Sequence, residues 1–281
     1  MKGIINVGGV NEIAPGANNI CLLPVYDKPL IYYTLTMLVE AGIQDIVIVG
    51  DEGARDSIES FLGEGHMLGL KLAYISVADP GNDIEVLSAC QRLFVDPVVY
   101  VSSPMLTIGQ NHQLMLKNAI YRRFGATCFA CAGGGDIVLN EFGNFESFSL
   151  QGKWRRTGLY VLCDLVDHLA QLPEASTIWN LLDSYHENSQ LFVERYGYGS
   201  QCYTPQDADD FLDLSFSVAQ NERFHCIKMG CVEEAAMEQG FLSARTLKQE
   251  VLPLMACSQY KSYLEELVQD CPSLEPIIGA N

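Results

Sequence analysis

Positively charged residues are scarce in this sequence. Lys and Arg together number 17, against 35 Asp and Glu, so the formal net charge is -18. An acidic surface repels the phosphates of nucleic acids and of anionic lipids. The sequence also has no apolar run of about 18 residues, the length that a membrane-spanning helix requires. We therefore expect neither a nucleic-acid partner nor a membrane partner.

Export signals and a complete set of metal-ligand spacings are missing as well. The residues after Met1 form a short apolar run without the long apolar segment and cleavage site of a signal peptide. We therefore expect a cytoplasmic protein whose ten cysteines are reduced. Cys128 and Cys131 have metal-like spacing, but their apolar neighbours and the lack of a second close pair predict buried structural cysteines. Cys226 and Cys231 receive the same interpretation.

The first hundred residues alternate between apolar runs and segments with helical periodicity. The pattern predicts strands at 4–7, 45–50, 70–77 and 98–101, and helices at 29–41, 54–62 and 84–94. This alternation is typical of an α/β fold with a doubly wound, mostly parallel sheet. Ligands of such sheets bind at the carboxyl ends of the strands. The site is therefore expected near Gly8-Gly9, Gly50-Asp51, the loop after Val77, and Ser102-Ser103.

The second half of the chain has a more mixed pattern. Strands are predicted at 126–132, 144–150 and 158–162, and helices at 178–185 and 208–220. The tail from Cys231 onward is helical in pattern, with breaks at Gly240, Pro253 and Pro272. We find no repeat and no clear linker. The interpretation is an α/β domain at 1–225 and a helical C-terminal subdomain at 226–281 packed on it.

Several strings in the sequence are shared with one enzyme family. They are Leu22-Leu-Pro-Val-Tyr-Asp-Lys-Pro29, Leu38-Val-Glu-Ala-Gly-Ile43, Thr157-Gly-Leu-Tyr160, and Cys231-Val-Glu-Glu-Ala-Ala-Met-Glu-Gln-Gly-Phe241. With these strings the chain resembles bacterial glucose-1-phosphate thymidylyltransferases over nearly its whole length. The resemblance implies a nucleotide-diphospho-sugar transferase fold, which is Rossmann-like, and a connection with dTDP-sugar biosynthesis.

The resemblance also implies a reaction, in which a sugar-1-phosphate attacks a nucleoside triphosphate and pyrophosphate leaves. Such chemistry needs Mg²⁺ held by two aspartates, because a hard cation prefers carboxylate oxygens. At the positions that match those aspartates this sequence has Ser103 and Thr204. The family's Glu-Glu-Lys-Pro string, with the lysine for the sugar phosphate, has no counterpart in the short segment between Leu150 and Thr157. We therefore expect no catalytic residues, no metal and no cofactor.

The triphosphate loop of the family is altered as well. Gly8 and Gly9 are kept, but Val10-Asn11-Glu12 replaces the second glycine step and the arginine that follow them in the family. Ile20 and Cys21 stand where the family has Lys-Gln. Gly8, Gly9, Thr157 and Gly158 are therefore the candidate ligand-binding residues.

Other charged residues could rebuild a site. Asp79, Asp83 and Asp136 are predicted to be solvated loop acids. The basic cluster Lys153, Arg155 and Arg156 could hold a phosphate, although an exposed turn is the favoured interpretation.

Three hypotheses follow from this pattern. The preferred one is a catalytically inactive homologue that acts as a scaffold, regulator or oligomer partner in sugar-nucleotide metabolism. It would form homo-oligomers, or hetero-oligomers with an active relative, and could bind a sugar nucleotide. The second is an active sugar-1-phosphate nucleotidylyltransferase that holds Mg²⁺ through Asp79, Asp83 or Asp207. The third is a different enzyme on the same scaffold, acting on a neutral sugar.

Overall fold

The structure of the chain is a computed structural model. It describes residues 1–8, 19–94, 96–109, 111–173, 175–205, 207–225 and 227–270, without the side chains of residues 150 and 270. The strands are β1 (Lys2–Asn6), β2 (Pro24–Val25), β3 (Lys28–Pro29), β4 (Asp45–Gly50), β5 (Lys71–Ser76), β6 (Val98–Val101), β7 (Leu106–Ile108), β8 (Ala126–Leu139), β9 (Phe145–Leu162), β10 (Leu191–Arg195) and β11 (Gln201–Tyr203).

Ten α-helices lie within the described residues. They are α1 (Leu30–Glu40), α2 (Glu52–Leu62), α3 (Asp83–Cys90), α4 (His112–Arg122), α5 (Leu165–Gln171), α6 (Ile178–Glu187), α7 (Ala208–His225), α8 (Val232–Glu238), α9 (Ala244–Thr246) and α10 (Gln259–Asp270). A π-helical turn, Leu247–Val251, follows α9. None of the described helices is long and apolar enough to cross a bilayer.

A seven-stranded sheet forms the centre of the molecule, in the order β10-β8-β9-β6-β1-β4-β5. β1 pairs in parallel with β4 and β6, and β4 with β5. β9 pairs antiparallel with both of its neighbours, β6 and β8. The sheet is therefore mostly parallel, as the alternating pattern predicts. The predicted bounds of β4 and β6 match the observed ones.

The prediction of two strands at 144–150 and 158–162 is wrong. A single strand, β9, runs through both segments and the residues between them, and it forms a long hairpin with β8. Gly135 and Gly152 are paired in this hairpin. The close approach of the two backbones there is possible because neither residue has a side chain. The basic cluster at 153–156 therefore lies in a strand and not in an exposed turn.

Two hydrophobic cores cover the two faces of the sheet. Ile5 belongs to the core on the side of α1, α7 and α8, whereas Ile4 belongs to the core on the side of α3 and α6. Neighbouring strand residues point to opposite faces, so a strand buried on both sides is apolar throughout. This two-sided burial confirms the doubly wound arrangement.

Buried charged residues join the N-terminal part of the chain to its C-terminal helices. The ammonium group of Lys28 is 2.5 Å from Asp27 Oδ1 and 3.4 Å from Glu222 Oε1, and it lies 4.8 Å from the centre of the Tyr260 ring. The Tyr260 hydroxyl donates a hydrogen bond to Glu233 at the start of α8. The turn before α1 is thereby held against α7, α8 and α10.

Candidate functional site

A pocket of about 320 Å³ opens beyond the last residue of β6, where β9 continues past the end of β6. Its position agrees with the expectation of a site at the carboxyl ends of the parallel strands. The residues that line it come from α3, from the end of β6, from the β8–β9 hairpin and from the β11 region. They are Asp83, Ser102, Asp136, Arg155, Arg156, Thr157, Gly158, Tyr160, Cys202 and Thr204.

A bulge in the hairpin shapes the floor of the pocket. The register between β8 and β9 shifts at Thr157 and Gly158, opposite Phe129. The Thr157 hydroxyl donates to the Phe129 carbonyl at 3.1 Å, and Gly158 has a φ of 85°, which favours glycine. A Cβ on Gly158 would lie 2.5 Å from Ser102 Oγ. The Thr-Gly pair therefore brings the β9 backbone close to the end of β6.

The side chain of Arg156 lines the pocket and is held there by contacts with neighbouring residues. Its Nε donates to Asp136 Oδ2 at 2.8 Å and its main-chain N–H to Asp136 Oδ1 at 3.2 Å. Its guanidinium carbon stacks 3.5 Å from the centre of the Trp179 ring, and Nη1 is 3.1 Å from the Tyr160 hydroxyl. Charge-assisted bonds of this kind are strong, so they hold the positive charge of Arg156 beside Asp136.

The second acid of the pocket, Asp83, is also partnered. It accepts a hydrogen bond from the hydroxyl of the buried Tyr100. Burial raises the pKa of Asp83 above its usual value, although this hydrogen bond and the charge of Arg156 oppose the shift. Asp83 and Asp136 were predicted to be solvated loop acids, and for these two that prediction is wrong. Asp79 is exposed in a turn, as predicted.

Arg155 differs from Arg156 in its environment. Its side chain is exposed, and Nη2 donates to the Cys202 carbonyl at 3.3 Å and lies 3.8 Å from Cys131 Sγ. A guanidinium group has five N–H donors in a planar fork. Since these contacts involve Nη2 alone, Arg155 is the cation of this pocket best placed to meet a ligand.

The described residues do not fit Mg²⁺. Mg²⁺ requires carboxylate oxygens in near-octahedral geometry, but Asp136 is paired with Arg156 and Asp83 with Tyr100. Thr204, where the family resemblance places an aspartate, lines the pocket with a side chain that carries no negative charge. No group of three or more His, Cys, Asp or Glu side chains in the described parts of the chain could hold a metal.

Some of the predicted ligand residues meet in the pocket and others do not. Thr157 and Gly158 line it, whereas Ser103 is half-buried and is not one of the lining residues. Gly8 is buried, and its N–H donates to Asn6 Oδ1 at 3.1 Å. A Cβ on Gly8 would lie 2.4 Å from Pro80 Cβ. The close packing against Pro80 therefore requires a residue without a side chain at position 8. Gly9 lies outside the described residues.

The residues at the family's Lys-Gln position belong to the core. Ile20 and Cys21 are buried among apolar side chains on the α1 side of the sheet. Cys128 and Cys131 are buried as predicted, and they lie in the cores on opposite faces of the sheet. Because their side chains point away from each other, the pair cannot share a metal ion. Cys226 is not described.

Sequence patterns did not indicate a second groove of about 390 Å³ between α1, α4 and residues 227–230. His112 lies at this groove, with its ring stacked on Tyr196 at 4.3 Å between centres. Burial lowers the pKa of His112, and both of its ring nitrogens lack hydrogen-bond partners among the described residues. No spacing in the sequence distinguishes this histidine, so only the three-dimensional structure reveals its position.

Comparisons with known proteins agree on one family. The family model described as nucleotidyl transferase matches residues 20–132. Glucose-1-phosphate thymidylyltransferase of Neisseria meningitidis is 30% identical over 290 residues, which cover 96% of this chain and 100% of that protein. The enzyme of the same name from an Actinoplanes species is 28% identical and covers 98% of this chain and 97% of its own.

Solved structures show the same fold. A Bacillus anthracis protein described as a glucose-1-phosphate thymidylyltransferase, in complex with sucrose, superposes with a TM-score of 0.68 at 17% identity, covering 77% of this chain and 94% of its own. UDP-glucose pyrophosphorylase from Acinetobacter baumannii has a TM-score of 0.65 at 14% identity, covering 85% and 98%. These identities are low, so the two structures support the architecture alone.

Proposed function

Because this chain belongs to the glucose-1-phosphate thymidylyltransferase family, we propose that it keeps the family fold and a sugar-sized pocket but does not catalyse nucleotidyl transfer. The main support is the pairing of charges in the pocket. Arg156 neutralises Asp136, Tyr100 donates to Asp83, and Thr204 supplies a hydroxyl where the family resemblance expects an aspartate. A divalent cation would have to displace these partners.

The reaction of the family depends on the missing groups. Charge builds up on the transferring phosphate, and Mg²⁺ with protein cations stabilises it. Losing one such group costs a factor of roughly 10² to 10⁴ in rate. The family resemblance places Ser103 and Thr204 at the positions of the two metal aspartates, and it gives the sugar-phosphate lysine no counterpart. We therefore propose that the rate of nucleotidyl transfer is negligible.

What remains fits a sugar or a sugar phosphate. A volume of about 320 Å³ is at the small end of the range for ligand pockets, about 300–1,000 Å³. It suits one sugar unit better than a complete sugar nucleotide. Ser102 offers a hydroxyl, and Arg155 offers a positive charge for a phosphate.

A protein with this fold and no catalytic activity would act by binding a ligand or another protein. We propose a scaffold, regulatory or oligomer-partner role in sugar-nucleotide metabolism. The second groove, beside His112, is a separate place where a sugar nucleotide could act as a regulator.

An active nucleotidylyltransferase is the alternative, and one observation favours it. Asp83 and Asp136 both line the pocket, so two carboxylates stand at the edge of the sheet where ligands bind. Release of Asp136 from Arg156 on binding of a nucleotide would free a ligand for Mg²⁺. Of the other acids considered, Asp207 accepts the main-chain N–H of Asp210 at the start of α7, and Asp79 accepts that of Gly81 in its turn.

A pyrophosphate-release assay separates the two functions. The purified protein is incubated with glucose-1-phosphate, Mg²⁺ and either dTTP or UTP, with an active family member as the positive control. We expect no release above that of a sample without protein. Mg²⁺-dependent release would reject the non-catalytic proposal and establish the alternative.

Calorimetric titration tests the pocket itself. Glucose-1-phosphate and glucose are each titrated into the protein in the presence of Mg²⁺ or of EDTA. The dissociation constant is expected to be the same under both conditions. Arg155→Gln should weaken glucose-1-phosphate binding by about tenfold or more, because it removes a charge-assisted hydrogen bond of about 1.5–3 kcal/mol. Lys153→Gln is the matched control, since Lys153 is exposed on the same strand but does not line the pocket. Equal binding by both variants would contradict this assignment.

A further inference from the structure

The charged side chains of the pocket largely offset one another. Arg155 and Arg156 are the cationic side chains among its described lining residues, and Asp83 and Asp136 are the acidic ones. An acid beside an arginine repels the phosphate that the arginine attracts, so the pair binds a phosphate less tightly than the arginine alone. The acid that lies beside each arginine therefore determines how the pocket responds to the charge of a ligand.

Asp136 is bound to Arg156 by both of its carboxylate oxygens. Oδ1 accepts the main-chain N–H of Arg156 at 3.2 Å, and Oδ2 accepts Nε at 2.8 Å. The exposed fractions of the two side chains are 21% and 18%, so solvent and salt screen this pair less than a surface pair. The bond to the main chain does not involve the side chain at position 156. Asp136 is therefore held at the pocket whatever that side chain is.

Arg156 is also held in place, and it still has a hydrogen-bond donor for a ligand. Its Nη1 lies 3.1 Å from the Tyr160 hydroxyl, and its guanidinium carbon lies 3.5 Å from the centre of the Trp179 ring. Within the described parts of the chain no hydrogen bond is made by Nη2, which carries two of the five N–H donors of a guanidinium group. Geometry therefore leaves room for a phosphate on Arg156, and the charge of Asp136 opposes it.

An irregular segment of β8 brings Asp136 to this position. Ala130 is the register partner of Arg156, and Asp136 lies six residues further along the strand. Between them Gly133 and Gly134 have φ values of 134° and 71°, which favour glycine. No described atom lies within 4 Å of a Cβ at either glycine, so neither is required for space. The two glycines change the direction of the backbone, and Asp136 thereby reaches Arg156.

The other acid of the pocket is placed differently. Asp83 belongs to α3 and accepts a hydrogen bond from Tyr100. No hydrogen bond between Asp83 and Arg156 is found among the described residues. Asp136 is therefore the acid that lies in direct contact with the Arg156 guanidinium.

We propose that Asp136 is a specificity-determining residue of the pocket, which opposes phosphate binding at Arg156 and thereby favours a neutral sugar over an anionic one. With Asp136 in place, Arg155 is the cation that a phosphate meets without an acid bonded to it. This selectivity between sugars rests on the proposed function, because it assumes a sugar in the pocket. The effect of Asp136 on Arg156 does not, because inorganic phosphate also measures it.

Calorimetric titration of Asp136→Asn at low ionic strength tests the proposal. Asparagine has nearly the same shape and keeps an oxygen that accepts from Arg156. The variant should bind inorganic phosphate and glucose-1-phosphate about tenfold more tightly than the unmodified protein does, because a negative charge beside the ligand is removed. Its dissociation constant for glucose should not change. Glu141→Gln, an exposed acid in the turn of the same hairpin, is the matched control and should leave all three constants unchanged.

Two results of this titration would overturn the proposal. One is an Asp136→Asn variant that binds inorganic phosphate no more tightly than the unmodified protein. The other is an equal gain for glucose and glucose-1-phosphate. If Asp136→Asn does not fold, Asp136→Ser is titrated in its place, because it also removes the charge and leaves a hydroxyl that accepts from the Arg156 main-chain N–H.

Arg156→Gln separates the effect of the charge from damage to the structure. This change leaves Asp136 in the pocket without its cation, so glucose-1-phosphate should bind about fivefold or more weakly. Adding Asp136→Asn should restore binding to about the level of the unmodified protein, because the net charge of the pocket is then the same in both. Structural damage alone does not produce such recovery. A double variant that binds as weakly as Arg156→Gln would reject the role of Asp136.

The fluorescence of Trp179 reports whether phosphate reaches Arg156. The sequence has two tryptophans, so Trp154→Phe leaves Trp179 as the single reporter. In this background inorganic phosphate should change the emission of the Asp136→Asn protein more than that of the protein with Asp136. Tighter phosphate binding without a change in emission would place the phosphate away from Arg156 and contradict the proposal. If Asp136→Asn gains phosphate binding while no variant binds glucose or glucose-1-phosphate, the sugar ligand of the proposed function is wrong and the role of Asp136 stands.

Discussion

Glu40, the last residue of α1, is the described carboxylate whose environment most clearly couples protonation to stability. Burial raises its pKa to about 7, and the negative charge of Glu238 adds to the shift, while Lys117 opposes it. A carboxylate at the C-terminal end of a helix also meets the negative end of the helix dipole. The folded protein therefore holds the Glu40 proton more tightly than the unfolded chain does.

This difference predicts a specific dependence of stability on pH. Between about pH 4.5 and pH 7 the unfolded chain loses the Glu40 proton before the folded protein does, so the free energy of unfolding falls as the pH rises. Glu40→Gln removes this cost, and it should stabilise the protein by about 2 kcal/mol at pH 8 and very little at pH 4.5. Urea unfolding at the two pH values measures the difference. Glu141→Gln, in the exposed β8–β9 turn, should show no such dependence. A Glu40→Gln effect that is equal at both pH values would contradict the assignment.

The β8–β9 hairpin is the element that builds the candidate site. It contributes Asp136, Arg155, Arg156, Thr157 and Gly158 to one pocket. Its path depends on glycines where the two backbones meet. A Cβ on Gly152 would lie 2.5 Å from the Ile137 carbonyl oxygen and 2.6 Å from the Ile137 nitrogen. Because both are backbone atoms, rotation of a side chain cannot relieve the clash.

Gly152→Ala should therefore force the strands apart. We expect a loss of about 1–3 kcal/mol in the free energy of unfolding, the cost of overpacking a tight contact, together with weaker binding at the pocket. Gly197→Ala is the control, because no atom lies within 4 Å of a Cβ at Gly197. Thermal unfolding and ligand titration measure the two effects. If Gly152→Ala unfolds at the same temperature as Gly197→Ala, the hairpin is not held at this contact.

The molecule as a whole depends on the buried charges around Lys28. Glu222 of α7 accepts from Lys28, from Lys228 at 2.5 Å, and from the Met229 main-chain N–H at 3.0 Å. These bonds connect the turn before α1 with the segment leading into the C-terminal helices. Removing one partner of a buried ion pair leaves the others under-compensated, and typically costs about 3–5 kcal/mol.

Lys28→Met should lower the free energy of unfolding by about 3 kcal/mol, since Lys228 still compensates part of the negative charge. Lys248→Met, at an exposed position, should change it by less than about 0.5 kcal/mol. Calorimetry should show one unfolding transition for the unmodified chain, because the buried cluster joins both parts. Two separate transitions would show that the C-terminal helices fold independently of the α/β part. Equal stability of the two variants would show that Lys28 does not join these two parts.

Local patterns were sufficient for the parallel strands in the first hundred residues, whereas the parallel strand β10 was not predicted. The strands β4 and β6 are buried on both faces, so they are continuous apolar runs with clear ends. α1 begins after Pro29 and ends before Gly42, and both residues have strong local preferences. The length of β9 was not predictable in this way. Its polar and glycine-rich middle resembles a loop, and only its pairing with β8 makes it a strand.

The candidate site shows where the information in the sequence ends. Residue types alone lead to the predictions that Ser103 and Thr204 replace the aspartates of the family and that Thr157 and Gly158 bind a ligand, and of these residues the structure places Thr157, Gly158 and Thr204 around one pocket. The partners of Asp83 and Asp136 depend on contacts between residues 17 and 20 positions apart, Tyr100 with Asp83 and Arg156 with Asp136. Composition and periodicity carry no information on such contacts.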